Sequence, residues 1–292
     1  MTGWQVLYPP AINHPFDFLH FFLWAAYNRL RISNRVQMNK IAFITGASSG
    51  IGKACAEKFA SGLYDVIITG RRKEMLIQIQ GDIQSKYGIQ VLPLCFDVQK
   101  ESEVKAAVAS LIGNWKKISV LVNNAGLALG RDFFDEALME DWETMIDTNV
   151  KGLLYVSRAI IPLMKSIKNG HIINIGSTAG KEVYEKGNVY CATKFAVDAI
   201  SRGMRIDLLS HGIKVTAVHP GAAETEFSKV RFKGNMEEFR KVYEGFTPLT
   251  GPDIAEVIYY CTTLPQHVCI NDLVMTSLAQ ANSYYTYRGE FR

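Results

Sequence analysis

The sequence predicts an α/β fold, a single doubly wound domain with a seven-stranded parallel sheet and helices on both faces. Three observations predict it. From residue 41 onwards, short apolar runs recur with helical stretches between most of them. The runs are apolar throughout rather than alternating, as strands covered on both faces are. The first run leads straight into a glycine-rich turn, Thr45-Gly-Ala-Ser-Ser-Gly-Ile-Gly52, that opens a helix. Right-handed crossovers between such strands make an open parallel sheet.

Taken in order, residues 41–45 form the first strand and 51–59 the helix behind the glycine turn, followed by a strand over 65–69 and a helix over 73–87. Further strands are expected at 91–96, 120–122, 171–175, 215–218 and 272–275. Long helices are expected over 141–164 and 188–209, and a last one over 253–263 after a long loop. No internal repeat or low-complexity stretch interrupts this pattern, so residues 38–292 read as one domain.

Composition sets the class. Of 292 residues, 48% are hydrophobic and 21% charged, the balance of an ordinary globular chain. A net charge of +4 without long runs of one sign gives no footprint for nucleic acid. Five cysteines lie scattered without C-x-x-C or other metal-ligand spacing. They read as reduced thiols of a cytoplasmic protein that binds no metal. Residues 1–37 stand apart: they are rich in aromatics, and the apolar run 16–27 contains Asp17 and His20 and is too short to span a bilayer. They lack the marks of a secretory signal. An upstream start adding residues the fold does not need is the preferred reading, because Met38 directly precedes the first strand. An amphipathic membrane-surface helix and a helix packed on the body are the alternatives.

The glycine turn is the first candidate site. Gly46, Gly50 and Gly52 are spaced G-x-x-x-G-x-G. Glycines there permit a tight turn and close approach of a pyrophosphate to a helix N-terminus, so Gly46, Ser48, Ser49, Gly50, Ile51 and Gly52 are candidate dinucleotide contacts. The second strand ends in Thr69-Gly-Arg-Arg72 with no acid to hold ribose hydroxyls. Arg71 and Arg72 suit a 2′-phosphate, which favours NADP(H) over NAD(H). Asp97 and Val98, after the third strand, are placed for the adenine edge. Asn124, Ala125 and Gly126, after the fourth, allow close approach to the ribose; both pairs of positions lie at carboxyl ends of strands.

Tyr190 and Lys194 stand four residues apart on one helix face, with Ser177 thirteen residues upstream of the tyrosine. An ammonium beside a phenol favours its ionised form and suits the phenol to proton transfer.

With Asn149 and Pro220-Gly221 added to these motifs, nearly everything after Met38 resembles the short-chain dehydrogenase/reductase family. Within it the chain looks most like the NADP-dependent 3-hydroxy acid dehydrogenases. The closer resemblance rests on Asn124-Ala-Gly-Leu-Ala-Leu-Gly130 and on the runs 141–149, 170–180 and 225–234. The resemblance implies a Rossmann-type fold and four catalytic residues. Tyr190 would be the acid/base, Lys194 would tune it and hold the nicotinamide ribose, Ser177 would bond the substrate oxygen, and Asn149 would hold a water linking Lys194 to solvent. Pro220, Gly221 and Thr225 would meet the nicotinamide side, and residues 226–250 would form a mobile substrate lid, with a fixed helix pair supporting subunit packing as the alternative. A homotetramer is implied as well. The substrates implied are small 3-hydroxy acids and their carbonyl forms. Lys181, Lys186, Arg231 and Lys233 are candidates to hold the carboxylate. A reductase of bulkier carbonyls and a non-catalytic NADP-binding protein are the competing readings.

Overall fold

The computed structural model describes residues 39–291, so the expectations for residues 1–37 fall outside the described residues. Seven parallel strands form the main sheet: β1 (Ile41–Ile44), β2 (Asp65–Gly70), β3 (Val91–Cys95), β4 (Ile118–Asn123), β5 (Gly170–Ile175), β6 (Ile213–Pro220) and β9 (Asp272–Met275). Their order is β3-β2-β1-β4-β5-β6-β9. Two residue pairs, β7 (Ala223–Glu224) and β8 (Leu249–Thr250), make a small separate ladder.

Alternation along each strand feeds two cores. On β1, Ala42 and Ile44 point to one face and Ile41 and Phe43 to the other, which is why the run is apolar without interruption. The first face is covered by α1 (Gly50–Ser61), α2 (Lys73–Tyr87) and α9 (Gly251–Thr263), through Phe59, Leu76, Ile79, Ile83, Ile254 and Ile258. The second is covered by α3 (Glu101–Ala109), α5 (Leu153–Ile167) and α6 (Asn188–Leu208), through Val104, Val156, Ile160, Met164 and Leu208. Pro93 is accommodated because β3 lies at the sheet edge, where a missing donor breaks no ladder.

Local signals set several boundaries. Gly88 ends α2 at φ +67, a left-handed cap that glycine adopts without strain. Thr250 and Asp253 form a reciprocal capping box at the start of α9, worth about 1 kcal/mol.

Two expectations are corrected. The helix expected over 141–164 is α4 (Met139–Ile146), then a π-helical turn, Asp147–Gly152, and then α5. The hydrophobic spacing runs through this widened turn, so periodicity alone gives one helix. The stretch expected as a long loop holds two short helices, α7 (Glu226–Arg231) and α8 (Met236–Tyr243).

Strand order reverses between β1 and β4, where crossovers leave in opposite directions. In open α/β sheets, a cleft opens at the carboxyl ends of the strands at this point. The glycine turn after β1 and the Asn124 segment after β4 form its walls.

Candidate active site

A cleft of about 420 Å³ lies there, and of the catalytic and cofactor-binding residues predicted from sequence all but Gly52 and Asn149 line it; the carboxylate candidates Lys181, Lys186, Arg231 and Lys233 do not. The glycine turn is shaped by its own backbone. Gly46 and Gly50 take φ of +64 and +54, in the left-handed region. Gly52 faces inward instead, because a Cβ there would collide with the Gly46 carbonyl and the Asn124 side chain. Asn124 ties this turn to β4 by donating through Nδ2 to the carbonyl oxygens of Thr45 (2.8 Å) and Gly46 (3.2 Å). Thr45 Oγ1 in turn accepts from the backbone N–H of Asn124 and of Ala125, each at 2.9 Å. Asn124 therefore shapes the cradle.

Arg72 crosses the mouth of the turn. Its guanidinium donates to Ser48 Oγ (2.9 and 3.1 Å) and Ser49 Oγ (2.8 Å), and Nη1 lies 3.0 Å from Glu226 Oε2 on α7. Arg71 is more exposed and stands 3.8 Å from Asp97 Oδ2. Two guanidiniums and two hydroxyls beside a helix N-terminus make a seat for a dianionic phosphate, and the glycine cradle beside it leaves room for a pyrophosphate. The residues present thus fit a phosphorylated dinucleotide. Glu226, Phe227 and Val230 of α7, within the stretch expected as a lid, also line the cleft, as does Gln99, which carried no local sequence signal, and Thr148. Thr225 caps α7, its Oγ1 accepting from Phe227 N (3.3 Å), and its side chain leans over Gly50.

At the other end of the cleft, α6 brings Tyr190 and Lys194 together, both buried. Ser177 faces the Tyr190 phenol, and burial is the main influence on that phenol, raising its pKa well above the ordinary tyrosine range. The neighbouring Tyr184 adds to that rise; Ser177 and the Arg231 guanidinium oppose it. Lys194 is pushed down to about 8 by burial. Its Nζ donates to Ile175 O (2.9 Å) and lies 5.9 Å from the Tyr190 ring centroid. The ammonium is thus beside the phenol ring, with its hydrogen bond given to β5.

Asn149 sits in the π turn. Its Oδ1 accepts from Leu127 N (2.8 Å), and Nδ2 donates to Leu127 O (2.8 Å) and Thr193 Oγ1 (3.0 Å). Both amide hydrogens are taken, so toward a water the side chain offers only the second lone pair of Oδ1. Gly126 is glycine where these groups converge: a Cβ there would lie 3.2 Å from Asn149 Oδ1 and 3.6 Å from Lys194 Nζ.

The four candidate carboxylate holders separate. Lys181 pairs with Asp272 (2.5 Å) and Asp198 (3.2 Å), Lys233 with Asp141 (2.8 Å), and Lys186 lies over the Phe133 ring (4.0 Å). Lys181 and Lys233 are thus held by carboxylates, whereas Lys186 lines a small pocket with Tyr190 and Arg231. The Arg231 guanidinium carbon is 5.4 Å from the Tyr190 ring centroid and 5.6 Å from that of Tyr184, whose hydroxyl accepts from Nη1 (2.9 Å). Its Nε is buried without a hydrogen-bond partner.

Comparison with known proteins agrees with this geometry. The NADP-dependent 3-hydroxy acid dehydrogenase of Salmonella typhi is 46% identical over 242 residues, covering 82% of this chain and 96% of the relative. Sulfoacetaldehyde reductase of Chromohalobacter salexigens is 41% identical over 249 residues, or 85% and 98%. A serine dehydrogenase solved in a closed form with NADP+ superposes at a TM-score of 0.79 with 42% identity, over 86% of this chain and 99% of that one. The family model for short chain dehydrogenases matches residues 40–235. With its sheet order, its glycine cradle and the Ser177, Tyr190 and Lys194 cluster at the end of the same cleft, the chain belongs to the short-chain dehydrogenase/reductase family.

Proposed function

We propose that the chain is an NADP(H)-dependent oxidoreductase that interconverts small 3-hydroxy acids and their carbonyl forms. Bound NADP(H) supplies or takes up the hydride. The chain's own residues hold the cofactor, orient the substrate and move one proton. Tyr190 gives its phenol proton to the carbonyl oxygen in reduction and takes it back in oxidation. Ser177, which faces that phenol, stabilises charge on the same oxygen. Lys194 supplies positive charge beside the ring, and Asn149 holds the Leu127 and Thr193 segments around it. A phenol raised by burial is suited to donating a proton, and the positive charge of an oxidised nicotinamide would favour the reverse step. Arg71 and Arg72 favour the cofactor with a 2′-phosphate.

The observation that carries the substrate class is Arg231, a guanidinium against the Tyr190 ring with a buried, unpartnered Nε. A buried donor without a partner is costly until a ligand meets it, and a carboxylate matches it in charge and geometry. The relatives named above act on 3-hydroxy acids and sulfoacetaldehyde by their own descriptions, and both substrate types carry a small anionic group. Homotetrameric assembly and a cytoplasmic location are the further expectations that the resemblance carries. Met139, Ile146, Phe195 and Ile206 on α4 and α6 are apolar and exposed, as a subunit contact would need. Among the described residues, no helix is long and apolar enough to cross a membrane.

Arg231→Leu tests the substrate class. KM for a 3-hydroxy acid should rise about tenfold to a hundredfold, the worth of a charge-assisted contact. The NADPH Kd should stay within about twofold, and KM for an uncharged ketone should change far less than KM for the acid, as neither makes that contact. An unchanged KM for the acid would favour the bulkier-carbonyl reading.

A further inference from the structure

We infer that His219 is a positioning residue for the reaction: its imidazole, held between Ser177 and the carboxylates of Asp272 and Asp198, fixes the Ser177 backbone and makes turnover sensitive to acid. This rests on the reading of Ser177 and Tyr190 given above.

His219 lies near the end of β6 with its side chain fully buried. Its Nδ1 is 3.4 Å from Ser177 N and 3.2 Å from Ser177 O. At the other edge of the ring, Nε2 is 3.0 Å from Asp272 Oδ1 and 3.8 Å from Asp198 Oδ1. The Asp272 contact is close but off line, since Nε2 has no hydrogen-bond partner, so the attraction there is electrostatic. The ring also dictates the residue before the serine. A Cβ on Gly176 would collide with Nδ1, so the imidazole and the 176–177 backbone pack as one unit.

Charge decides which nitrogen carries the proton. A lone pair on Nε2 would face two anionic oxygens, whereas an N–H there is attracted by both. The proton therefore sits on Nε2, and Nδ1 accepts from the Ser177 N–H. The Ser177 hydroxyl accepts from Ala179 N (3.1 Å) and lines the same cleft as Tyr190, so the imidazole sets the backbone from which that hydroxyl faces the reacting phenol.

Asp198, His219 and Asp272 bring their ligand atoms within 4.8 Å of one another, close enough to suggest a metal. Cations of the chain already stand there. Lys181 Nζ bridges the two carboxylates at 2.5 and 3.2 Å, and Arg202 Nη2 adds a contact of 2.9 Å to Asp198. The cluster is a charge network that orients the ring.

Every element packed on the imidazole contributes a charge. Asp272 of β9 and Asp198 of α6 favour its protonation; Lys181, from the segment after Ser177, opposes it, and Arg202 acts through Asp198. Burial is the largest influence and holds the imidazole below its ordinary range, hence neutral near pH 7. On acidification Nδ1 gains a proton, becomes a donor to Ser177 O, and leaves the Ser177 N–H without an acceptor. Turnover then falls along an acid limb that belongs to His219.

The test uses the full chain with NADPH and a carbonyl substrate. His219→Leu removes the acceptor and should lower kcat about tenfold or more, because small misplacements at a reacting centre are expensive, with the NADPH Kd held. His219→Asn puts an oxygen acceptor where Nδ1 lies and does not titrate. It should recover most of the kcat lost in the leucine variant and abolish the acid limb. Asp272→Asn should move that limb to lower pH. In the cofactor-free chain, ¹⁵N NMR of the imidazole should show the proton on Nε2. An unchanged acid limb in the asparagine variant, full kcat in the leucine variant, or the proton on Nδ1 would each overturn the proposal. If the unmodified chain bound NADPH but turned over no carbonyl, the functional reading would fail, while the NMR tautomer would still judge the His219 contact.

Discussion

At the β1–β2 end of the cleft the groups that meet a ligand are backbone N–H groups and the half-exposed guanidiniums of Arg71 and Arg72. At the β5–β6 end they are side chains, the buried Tyr190 and Lys194 and the half-buried Ser177, with the buried His219 behind them. The first end recognises by shape and by charges that water screens. The second holds titratable groups out of water, and burial has moved Tyr190 up and Lys194 and His219 down. Binding and chemistry should therefore respond to different perturbations, mutation of charge at one end and loss of a single proton site or a change of pH at the other.

The sharpest way to break this contrast is Tyr190→Phe. Turnover should fall by roughly a thousandfold, within the usual worth of a positioned acid/base. NADPH affinity, measured by fluorescence titration, should stay within about twofold, because the glycine cradle and arginines supply it. A parallel loss of binding would mean that the two ends are one site.

A smaller effect is expected from Arg72→Ala. It removes the guanidinium held by Ser48 and Ser49, and should weaken NADPH by about tenfold to a hundredfold while leaving NADH within about twofold. Equal losses of both cofactors would show that Arg72 only supports the turn. The partial exposure of its contacts puts the lower figure closer to expectation.

The smallest effect tests whether buried titration marks the β5 side of the sheet more generally. His171 on β5 is buried, and burial, with help from the Lys214 charge, lowers it to about 3. Thr216 Oγ1 gives its hydrogen to Ile270 O (2.6 Å), so His171 Nε2 (2.7 Å) must be its donor and Nδ1 is left bare and unpartnered. Because the unfolded chain binds this proton near 6.5 and the folded one only near 3, stability is full above about pH 6.5 and declines toward pH 3. His171→Gln keeps a donor for Thr216 and removes the titration. Its Tm should fall by a few degrees less than that of the unmodified chain between pH 7 and 5, measured by calorimetry. Parallel curves would assign the acid response to other groups.

The same contrast explains what the sequence could disclose. The glycine turn was readable because its constraint is local: positive φ and close approach demand glycine at fixed spacing, whatever lies elsewhere. Tyr190 and Lys194 were readable because a helix puts i and i+4 on one face. Arg231 could not be separated from Lys181, Lys186 and Lys233 by spacing, since what distinguishes them is a partner far along the chain: Asp272, Phe133 or Asp141. The Glu226 contact to Arg72 spans 154 positions and has no local signature. His219 reads as one more residue of an apolar strand until Gly176 and Asp272 are placed against it.

The π turn at Asp147–Gly152 is in effect a one-residue insertion retained inside a helix. It changes the phase of everything after it, so Met145 can pack in the interior while Asn149 meets Leu127. Removing one residue from this segment would restore a regular helix and rotate one side relative to the other by about 100°. Composition, charge and hydrophobic pattern would hardly change, yet Asn149 would no longer address the loop it holds. Here the spacing between two well-formed helices is itself a piece of chemical information, carried by length alone.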